Sequence, residues 1–240
     1  EYYQYSVADV IGVITQGNLE YFNKWSCQGR RRIEVLHNWL AKAPISGCSI
    51  SIAETSLAGR KILLYAGNMG ISQGVGVLLD LANSIKDRKD IGFLFVGRGS
   101  EAKKLQTDAK EWGLSNVVFY DEIDPSEIPR LCEQCTVGLV SLDTRHTTHN
   151  IPGKFVAYMK NGLPVLGTVN LGNDIINLIK NERVGKVCVD GSAQTLKSLL
   201  ENLLDEVASD ADIEKRCKRL AEKLYSPETA VNQILRALAK

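Results

Sequence analysis

Four side chains that can carry a positive charge lie within one polar segment of the sequence, residues 142–155, between an apolar run and a stretch with helical spacing. They are Arg145, His146, His149 and Lys154. Lysine and arginine form charge-assisted hydrogen bonds with carboxylates and phosphates, and the N-terminus of a helix adds partial positive charge. We therefore predict an anion-binding site here, with a solvated surface loop as the alternative.

Two glycine-rich segments also follow apolar runs and precede helical stretches. The first, residues 66–75, contains Gly67, Gly70 and Gly74. Glycine lets the backbone approach a ligand closely, and free N–H groups at a helix N-terminus favour a phosphate. No Gly-Lys-Ser/Thr follows, so the segment is not a Walker A loop, and a tight strand-to-helix turn is the alternative.

The second segment, residues 96–102 with the sequence VGRGSEA, matches the G-x-G-x-x-A form of the dinucleotide fingerprint. Asp121 and Glu122 close the next apolar run at about the spacing that this fingerprint requires. Arg98, between Gly97 and Gly99, suits additional phosphate charge better than NAD. An NAD(P)-binding oxidoreductase domain that uses Gly97, Gly99 and Asp121 stays open as an alternative.

Composition and charge disfavour several other classes of protein. The chain has 240 residues, 44% hydrophobic content and a formal charge of +1, whereas nucleic-acid binders usually carry a strong basic excess. No apolar run approaches the ~18–20 residues of a membrane span. Cys132-Glu-Gln-Cys135 is a lone C-x-x-C, so we interpret it as packing at a helix end and predict no metal site. The six irregularly spaced cysteines predict a reduced cytosolic interior.

Apolar, β-branched runs alternate with amphipathic stretches along the chain. The runs are centred on residues 10–14, 62–66, 92–96, 117–119, 137–140, 164–167 and 184–189. Continuously apolar strands are typical of parallel sheets buried on both faces, and the alternation predicts βαβ units. The predicted fold class is therefore α/β, with a doubly wound, Rossmann-like parallel sheet.

The sequence also predicts where the domains divide. Residues 1–40 contain one strand–helix–strand unit, which cannot bury both of its faces alone, so we expect the end of a truncated N-terminal Rossmann-like domain. Residues 41–59 show little periodicity and read as a linker. Residues 60–225 predict a complete Rossmann-like domain. Residues 226–240 predict a C-terminal helix, with Ser226 as its N-cap and Pro227 at its first position.

The order of these segments resembles the C-terminal half of a GT-B glycosyltransferase of the family 4 type. The most specific segment is 150–166, NIPGKFVAYMKNGLPVL, which is similar to the (I/V)PSK–xYM–xxG–PV segment of enzymes that build bacterial surface polysaccharides. Further matching segments are residues 65–70, 73–75, 95–99 and 118–119, with 8–15 and 35–39 similar to the end of that family's N-terminal domain. The resemblance implies that about 150 residues of an acceptor-side domain are absent, which is a typical domain size.

The resemblance implies a retaining glycosyltransferase that takes its sugar from a nucleotide-diphosphate donor, here a UDP-sugar, with no cofactor. Its acceptor would be a glycan or a lipid-linked glycan. The protein would then be cytoplasmic, with peripheral association at the inner membrane face for the full-length form, and it would have no nucleic-acid partner. This chain would be the donor-binding fragment, inactive alone.

The resemblance also implies roles for individual residues. Lys154 and Arg98 would be catalytic, stabilising the diphosphate leaving group without a metal. The implied donor-binding residues are Gly67, Gly70, Ser72, Gln73, Gly74, Gly97, His149, Asn150, Ile151, Pro152 and Gly153.

Two departures from the family pattern affect these roles. The broader family often carries an E-x7-E pattern, and the corresponding positions are His149 and Ala157, so a carboxylate contact to the donor is lost or moved. The basic residue common after the first glycine-rich turn is absent, and Gln73 lies near that position. A non-catalytic binding module derived from the same fold is therefore a further alternative.

Overall fold

The computed structural model describes residues 2–23, 32–41, 44, 46–147 and 149–239, which form two parallel sheets and flanking helices. The strands of this part are β1 Val10–Val13, β2 Arg32–Val35, β3 Lys61–Ala66, β4 Ile91–Val96, β5 Val117–Tyr120, β6 Val137–Ser141, β7 Val165–Thr168 and β8 Gly185–Cys188. The helices are α1 Tyr2–Val7, α2 Gln16–Asn23, α3 Gly76–Ser84, α4 Ala102–Glu111, α5 Ile128–Cys132, α6 Gly153–Lys160, α7 Asp174–Glu182, α8 Ala193–Ser209, α9 Ile213–Tyr225 and α10 Pro227–Leu238. Of the helices described, none combines the length and the apolar character that crossing a bilayer requires.

The larger sheet contains six strands in the order β5-β4-β3-β6-β7-β8, and all neighbouring pairs are parallel. The chain first winds outward from β3 to β4 and β5, then returns to the other side of β3. At such a reversal of strand order, a crevice opens at the carboxyl ends of the two central strands. The structure thus confirms the predicted doubly wound Rossmann-like sheet and directs attention to the edge between β3 and β6.

Successive residues of each central strand enter two different cores, because side chains alternate across a sheet. Ile62 and Leu64 pack with α6, α7 and α9 on one face. Leu63 and Tyr65 pack with α3, α4 and α8 on the other face. Burial of both faces explains why the strand sequences are continuously apolar.

Strands β3 and β6 pair only over a short stretch, which ends at Leu64 opposite Gly138. Beyond it, the Tyr158 hydroxyl from α6 accepts a hydrogen bond from the Ala66 N–H at 2.8 Å and donates one to the Leu64 carbonyl at 3.0 Å. A Cβ at Gly138 would lie 2.5 Å from the Tyr158 ring, so glycine leaves room for the ring against β6. A single phenol therefore takes the place of strand pairing where the two strands separate.

The smaller sheet lies in the region predicted as the end of an N-terminal domain. Its strands β1 and β2 are parallel and paired from Val10 opposite Arg32 to Val13 opposite Val35. The C-terminal helix α10 lies along this sheet, and residues of β1, β2 and α10 line a groove of about 200 Å³ between them. The division of the chain into four units stays a prediction.

Two details refine the predicted boundaries. Within residues 41–59, Ile50, Ile52 and Leu57 are buried in the core of the larger sheet, so this segment is partly built into that core. The last helix begins at Pro227, and the Ser226 hydroxyl accepts a hydrogen bond from the Thr229 N–H at 3.0 Å, as the sequence predicts.

The C-x-x-C pair packs at the end of α5, which confirms its interpretation as a structural feature. Cys132 is buried, and the Cys135 thiol donates to the Leu131 carbonyl at 3.2 Å. Burial raises the pKa of Cys132 to about 12, which keeps it in the thiol form. In the part of the chain that the structure describes, no three His, Cys, Asp or Glu side chains are grouped to hold a metal ion.

Candidate functional site

A cleft of about 630 Å³ opens at the carboxyl ends of β3 and β4, against the N-terminus of α6. It lies at the reversal of strand order, where doubly wound sheets bind their ligands. Its lining residues are Ala66, Gly67, Asn68, Val96, Gly97, Arg98, Glu122, Ile123, Pro125, Ile128, Gly153, Lys154, Ala157 and Tyr158. Five predicted site residues therefore meet in one cleft: Gly67, Gly97, Arg98, Gly153 and Lys154.

Lys154 is the most unusual group in this cleft. Its Nζ is buried, has no hydrogen-bond partner and lies 3.5 Å from the centroid of the Tyr65 ring. Desolvation lowers the pKa of Lys154 to about 7. A buried ammonium with three unused donors is unfavourable unless an anion or another acceptor reaches it.

Gly67 lies directly beside this lysine. The glycine has a φ of +134°, and a Cβ there would lie 3.4 Å from Cε and 3.7 Å from Nζ of Lys154. Tyr65 forms the other wall, and its hydroxyl donates to the Asn68 carbonyl at 2.6 Å, which fixes the ring. The end of β3 and the loop after it thus form a socket for one lysine side chain.

The loop at residues 97–99 packs directly on the loop at 67–69. A Cβ at Gly97 would lie 2.1 Å from the Gly67 carbonyl oxygen, and one at Gly99 would lie 2.4 Å from the Met69 carbonyl carbon. The Met69 N–H donates to the Arg98 carbonyl at 2.7 Å. At both positions the backbone of the loop at 67–69 occupies the place that a side chain would take. The two glycines therefore allow the loops at 67–69 and 97–99 to pack against each other.

The acidic residue of the dinucleotide fingerprint is not in the cleft. Asp121 is exposed and does not line it, whereas the next residue, Glu122, does. Glu122 forms an ion pair with Arg98 at 2.8 Å, and both side chains are more than half exposed. The cleft therefore lacks the arrangement that the NAD(P) alternative requires, and Arg98 is held at the rim.

The N-terminus of α6 faces the cleft without a side-chain cap. The helix begins at Gly153, with Pro152 as its N-cap residue and the Phe155 N–H donating to the Pro152 carbonyl at 2.9 Å. Ile151 and Pro152 are buried behind this turn, while Asn150 is exposed. An uncapped helix N-terminus beside Lys154 combines two sources of positive potential.

The remaining predicted residues of the first glycine-rich loop lie outside this cleft. Gly70 and Gly74 line a neighbouring cavity of about 400 Å³ that faces α3 and α4. The Gln73 side-chain oxygen accepts from the Gly70 N–H at 3.1 Å and from the Asn68 amide at 2.9 Å. The Ser72 carbonyl accepts the Asp143 N–H at 3.0 Å, which joins this loop to the loop after β6.

His149 is also placed away from the cleft lining. Its ring lies against Gly17 in the turn between β1 and α2, because a Cβ at Gly17 would be 2.4 Å from Nδ1. That nitrogen is 3.8 Å from Asp174 Oδ2. His149 therefore contacts the smaller sheet's unit at this point.

Glu122 and Tyr158 line the cleft and Tyr65 packs on Lys154, but the sequence analysis assigned none of the three a role. Tyr65 lies in an apolar strand, where an aromatic residue is ordinary core. Tyr158 falls within the segment that resembles the polysaccharide enzymes, which was the only signal available for it. For Glu122 the sequence offers only its place beside Asp121 at the end of an apolar run.

Comparison with known proteins decides the family. The model of the family described as Glycosyl transferases group 1 matches residues 60–206, more than half of the chain. The chain belongs to this family. The matched region contains the whole cleft and confirms the resemblance drawn from the sequence.

Curated relatives of this chain are also glycosyltransferases by name. WbjE of Pseudomonas aeruginosa is 23% identical over 207 residues, which are 84% of this chain and 51% of that protein. WcaI of Escherichia coli strain K12, named for colanic acid biosynthesis, is 26% identical over 129 residues, covering 54% of this chain and 29% of WcaI. The chain thus spans about half of WbjE and less of WcaI.

Solved structures show the same fold. Anabaena Alr3699/HepE in complex with UDP superimposes with a TM-score of 0.77 at 18% identity, covering 97% of this chain and 64% of HepE. A point mutant of S. aureus TarM in complex with fondaparinux, alpha-GlcNAc-glycerol and UDP superimposes with a TM-score of 0.74 at 14% identity, covering 97% of this chain and 44% of TarM. These similarities show that the chain shares its fold with part of these GT-B glycosyltransferases.

Proposed function

We propose that this chain is the donor-binding half of a retaining glycosyltransferase, and that its cleft holds the diphosphate of a nucleotide sugar. One observation carries the proposal: the buried, unpartnered ammonium of Lys154 at the uncapped N-terminus of α6. Family membership supplies the reaction class, and the position of the cleft at the strand-order reversal supplies the site.

The chemistry assigned to Lys154 is stabilisation of the leaving group. When the bond between the sugar and the diphosphate breaks, negative charge grows on the terminal phosphate oxygens. A desolvated ammonium and helix N–H groups stabilise that charge more strongly than water does, because they are already oriented. Arg98 at the rim would exchange its contact with Glu122 for one with the nucleotide.

The donor base is proposed to be uracil, because HepE and TarM are described in complexes with UDP. We propose that the diphosphate charge is met by these side chains and N–H groups, without a metal ion or another cofactor. Ala157 presents a methyl group to the cleft where the broader family often carries a carboxylate. Donor contacts from that position are therefore absent, and the sugar and ribose must be held by other groups.

The acceptor is proposed to be a glycan or a lipid-linked glycan of a cell-surface polysaccharide, which WcaI's name supports by similarity. Since the chain spans about half of WbjE, the remaining half of a longer protein would bind the acceptor. Peripheral association of that longer protein with the cytoplasmic face of a membrane is part of the same proposal.

Calorimetric titration of the chain with UDP, GDP and NADH, in the presence of EDTA, tests the donor site. We expect UDP to bind, and Lys154→Ala to weaken it by roughly 10- to 150-fold, the range for losing a hydrogen bond to a charged group. Lys103→Ala, which changes an exposed lysine on α4, is the matched control and leaves the affinity unchanged.

Three results would oppose the proposal in different ways. NADH binding that survives Lys154→Ala would return the site to the oxidoreductase alternative. UDP binding that is indifferent to Lys154 would place the nucleotide elsewhere. UDP binding as expected, with no sugar transfer by the longer protein supplied with donor and acceptor, would support a non-catalytic module.

A further inference from the structure

Three segments from different parts of the chain meet around the carboxylate of Asp174, outside the cleft. They are the turn between β1 and α2, the loop that precedes α6, and the start of α7. The Gly17 N–H donates to Asp174 Oδ2 at 2.8 Å, and the same oxygen is 3.8 Å from His149 Nδ1. The Asn18 side-chain amide donates to the His149 carbonyl at 3.2 Å. One hydrogen bond, from Asn18, and the close ring contact at Gly17 thus connect the smaller sheet's unit to the loop that leads to Lys154. The hydrogen bond from Gly17 to Asp174 connects the same turn to the start of α7, whose carboxylate lies beside the His149 ring.

In the turn between β1 and α2, Gly17 packs tightly against the His149 ring. Gly17 is buried, and a Cβ there would lie 2.4 to 2.7 Å from three atoms of the His149 ring. Thr15 is buried, and its hydroxyl accepts the Asn18 N–H at 3.2 Å, which holds the first turn of α2. The Asp174 carboxylate faces the N-terminus of α2, where a negative charge is favourable.

The α7 side is equally fixed. Asn173 caps α7, with its side-chain oxygen accepting the Ile175 N–H at 3.2 Å. Its amide donates to Asn170 Oδ1 at 3.0 Å, and both asparagines are buried. Asp174 is therefore presented from a rigid support.

His149 and Lys154 are separated by only four residues, and two of them, Ile151 and Pro152, are buried in the core behind α6. Proline restricts its own φ and the conformation of the residue before it, so this segment is stiff. A displacement of His149 would consequently shift the first turn of α6, where Lys154 begins.

We propose that Asp174 and Asn18 are positioning residues for the donor site: through His149, they hold the loop that delivers Lys154 into its socket beside Tyr65. The smaller sheet's unit thereby contributes to donor binding without touching the donor. His149 acts as the contact point of this arrangement and not as a donor ligand. The inference rests on the proposed function of Lys154, but the placement of the lysine can be measured without any nucleotide.

The experiment compares Asp174→Ala, Asp174→Asn and Asn18→Ala with the parent chain. Asp212→Ala is the matched control, because Asp212 is an exposed acid at the start of α9 that contacts Lys215. Competitive labelling of lysine amines with acetic anhydride across pH, read by mass spectrometry, reports the titration midpoint of Lys154. UDP affinity is measured in parallel by calorimetry, and folding by thermal unfolding.

In the parent chain we expect a Lys154 midpoint near 7, as its burial implies. Asp174→Ala and Asn18→Ala release the loop, so the midpoint rises by about one pH unit or more as Lys154 gains water. UDP affinity falls by roughly 3- to 10-fold, as expected for a hydrogen bond that acts through another residue. Asp174→Asn retains an acceptor for the Gly17 N–H and recovers most of both properties, and Asp212→Ala changes neither.

Unchanged labelling and unchanged affinity in the folded Asp174→Ala and Asn18→Ala chains would overturn the inference. A lower melting temperature with both readouts unchanged would assign Asp174 a structural role only, which also overturns it. If the parent chain binds no UDP, the proposed function fails, while a shifted Lys154 midpoint in Asp174→Ala still supports the positioning role.

Discussion

Binding of UDP should draw a proton from solution onto Lys154. In the free chain, the pKa of Lys154 is lowered to about 7 by burial, so the amine is largely neutral above that pH. A diphosphate favours the ammonium, which returns the pKa to its ordinary range of about 10.4 or above. The change in protonation is therefore an uptake, and it grows as the pH rises above 7.

The expected number of protons taken up follows from the protonation equilibrium of Lys154 alone. At pH 8 about one tenth of the free chains carry a protonated Lys154, so binding takes up about 0.9 proton. At pH 7 the uptake is about 0.5 proton, and at pH 6 about 0.1. If only the ammonium form binds, affinity weakens about 5-fold from pH 7 to pH 8, because the protonated fraction falls by that factor.

Calorimetry in two buffers of different ionisation enthalpy measures the uptake directly, since the observed enthalpy changes with the buffer in proportion to the protons exchanged. The measurement is made at pH 8 because phosphate groups and histidine side chains ordinarily titrate below that pH and so add little to the proton uptake. The other ionisable groups lining the cleft are the exposed Arg98–Glu122 pair and Tyr158. Lys154→Met should abolish the buffer dependence. UDP binding in the parent chain with equal enthalpies in both buffers would refute the reasoning and show that Lys154 is already charged.

Three further substitutions test other parts of the structure. Lys154→Met removes a buried, unpaired polar group, so the free chain should gain about 1–2 kcal/mol of stability at pH 8, or roughly 2 to 8 °C by thermal unfolding, while binding UDP more weakly; a lower melting temperature would contradict this. Tyr158→Phe removes a hydroxyl that makes two backbone hydrogen bonds and should cost about 1–3 kcal/mol in urea unfolding, and a neutral result would show that water replaces it. Glu122→Gln frees Arg98 from its ion pair and should strengthen UDP binding by about 2- to 5-fold at low salt, declining as salt is added; weaker binding would indicate that Glu122 itself contacts the nucleotide.

The sheet could be predicted, and Lys154 could be selected as a candidate, because both inferences depend on local signals. Continuous apolar runs indicate strands buried on two faces, and the alternation with helices indicates parallel crossovers. Lys154 could be selected because it follows a polar loop at the predicted start of a helix. The structure places its Nζ unpartnered in the cleft, consistent with that hypothesis.

The roles of the glycines could not be predicted, because they depend on partners distant in sequence. Gly97 serves the approach of its loop to the Gly67 carbonyl, and Gly74 lies beside the Asp143 backbone. Sequence spacing is the same whether a glycine faces a phosphate or another loop. His149 shows the same limit, since its neighbour Gly17 is more than a hundred residues away in the chain.

The phenol of Tyr158 has a consequence for how such a cleft can change in evolution. Because its ring lies in the core against Gly138 and its hydroxyl occupies the backbone groups at the end of β3, the gap between β3 and β6 is fixed from inside the protein. The hydrogen bond from the Asp143 N–H to the Ser72 carbonyl, at 3.0 Å, joins the loops that follow these strands and holds the gap from outside as well. The exposed side chains of Arg98 and Glu122 pair with each other at the rim instead. Substitutions at this pair would therefore alter the rim of the crevice and leave the spacing of its central strands in place.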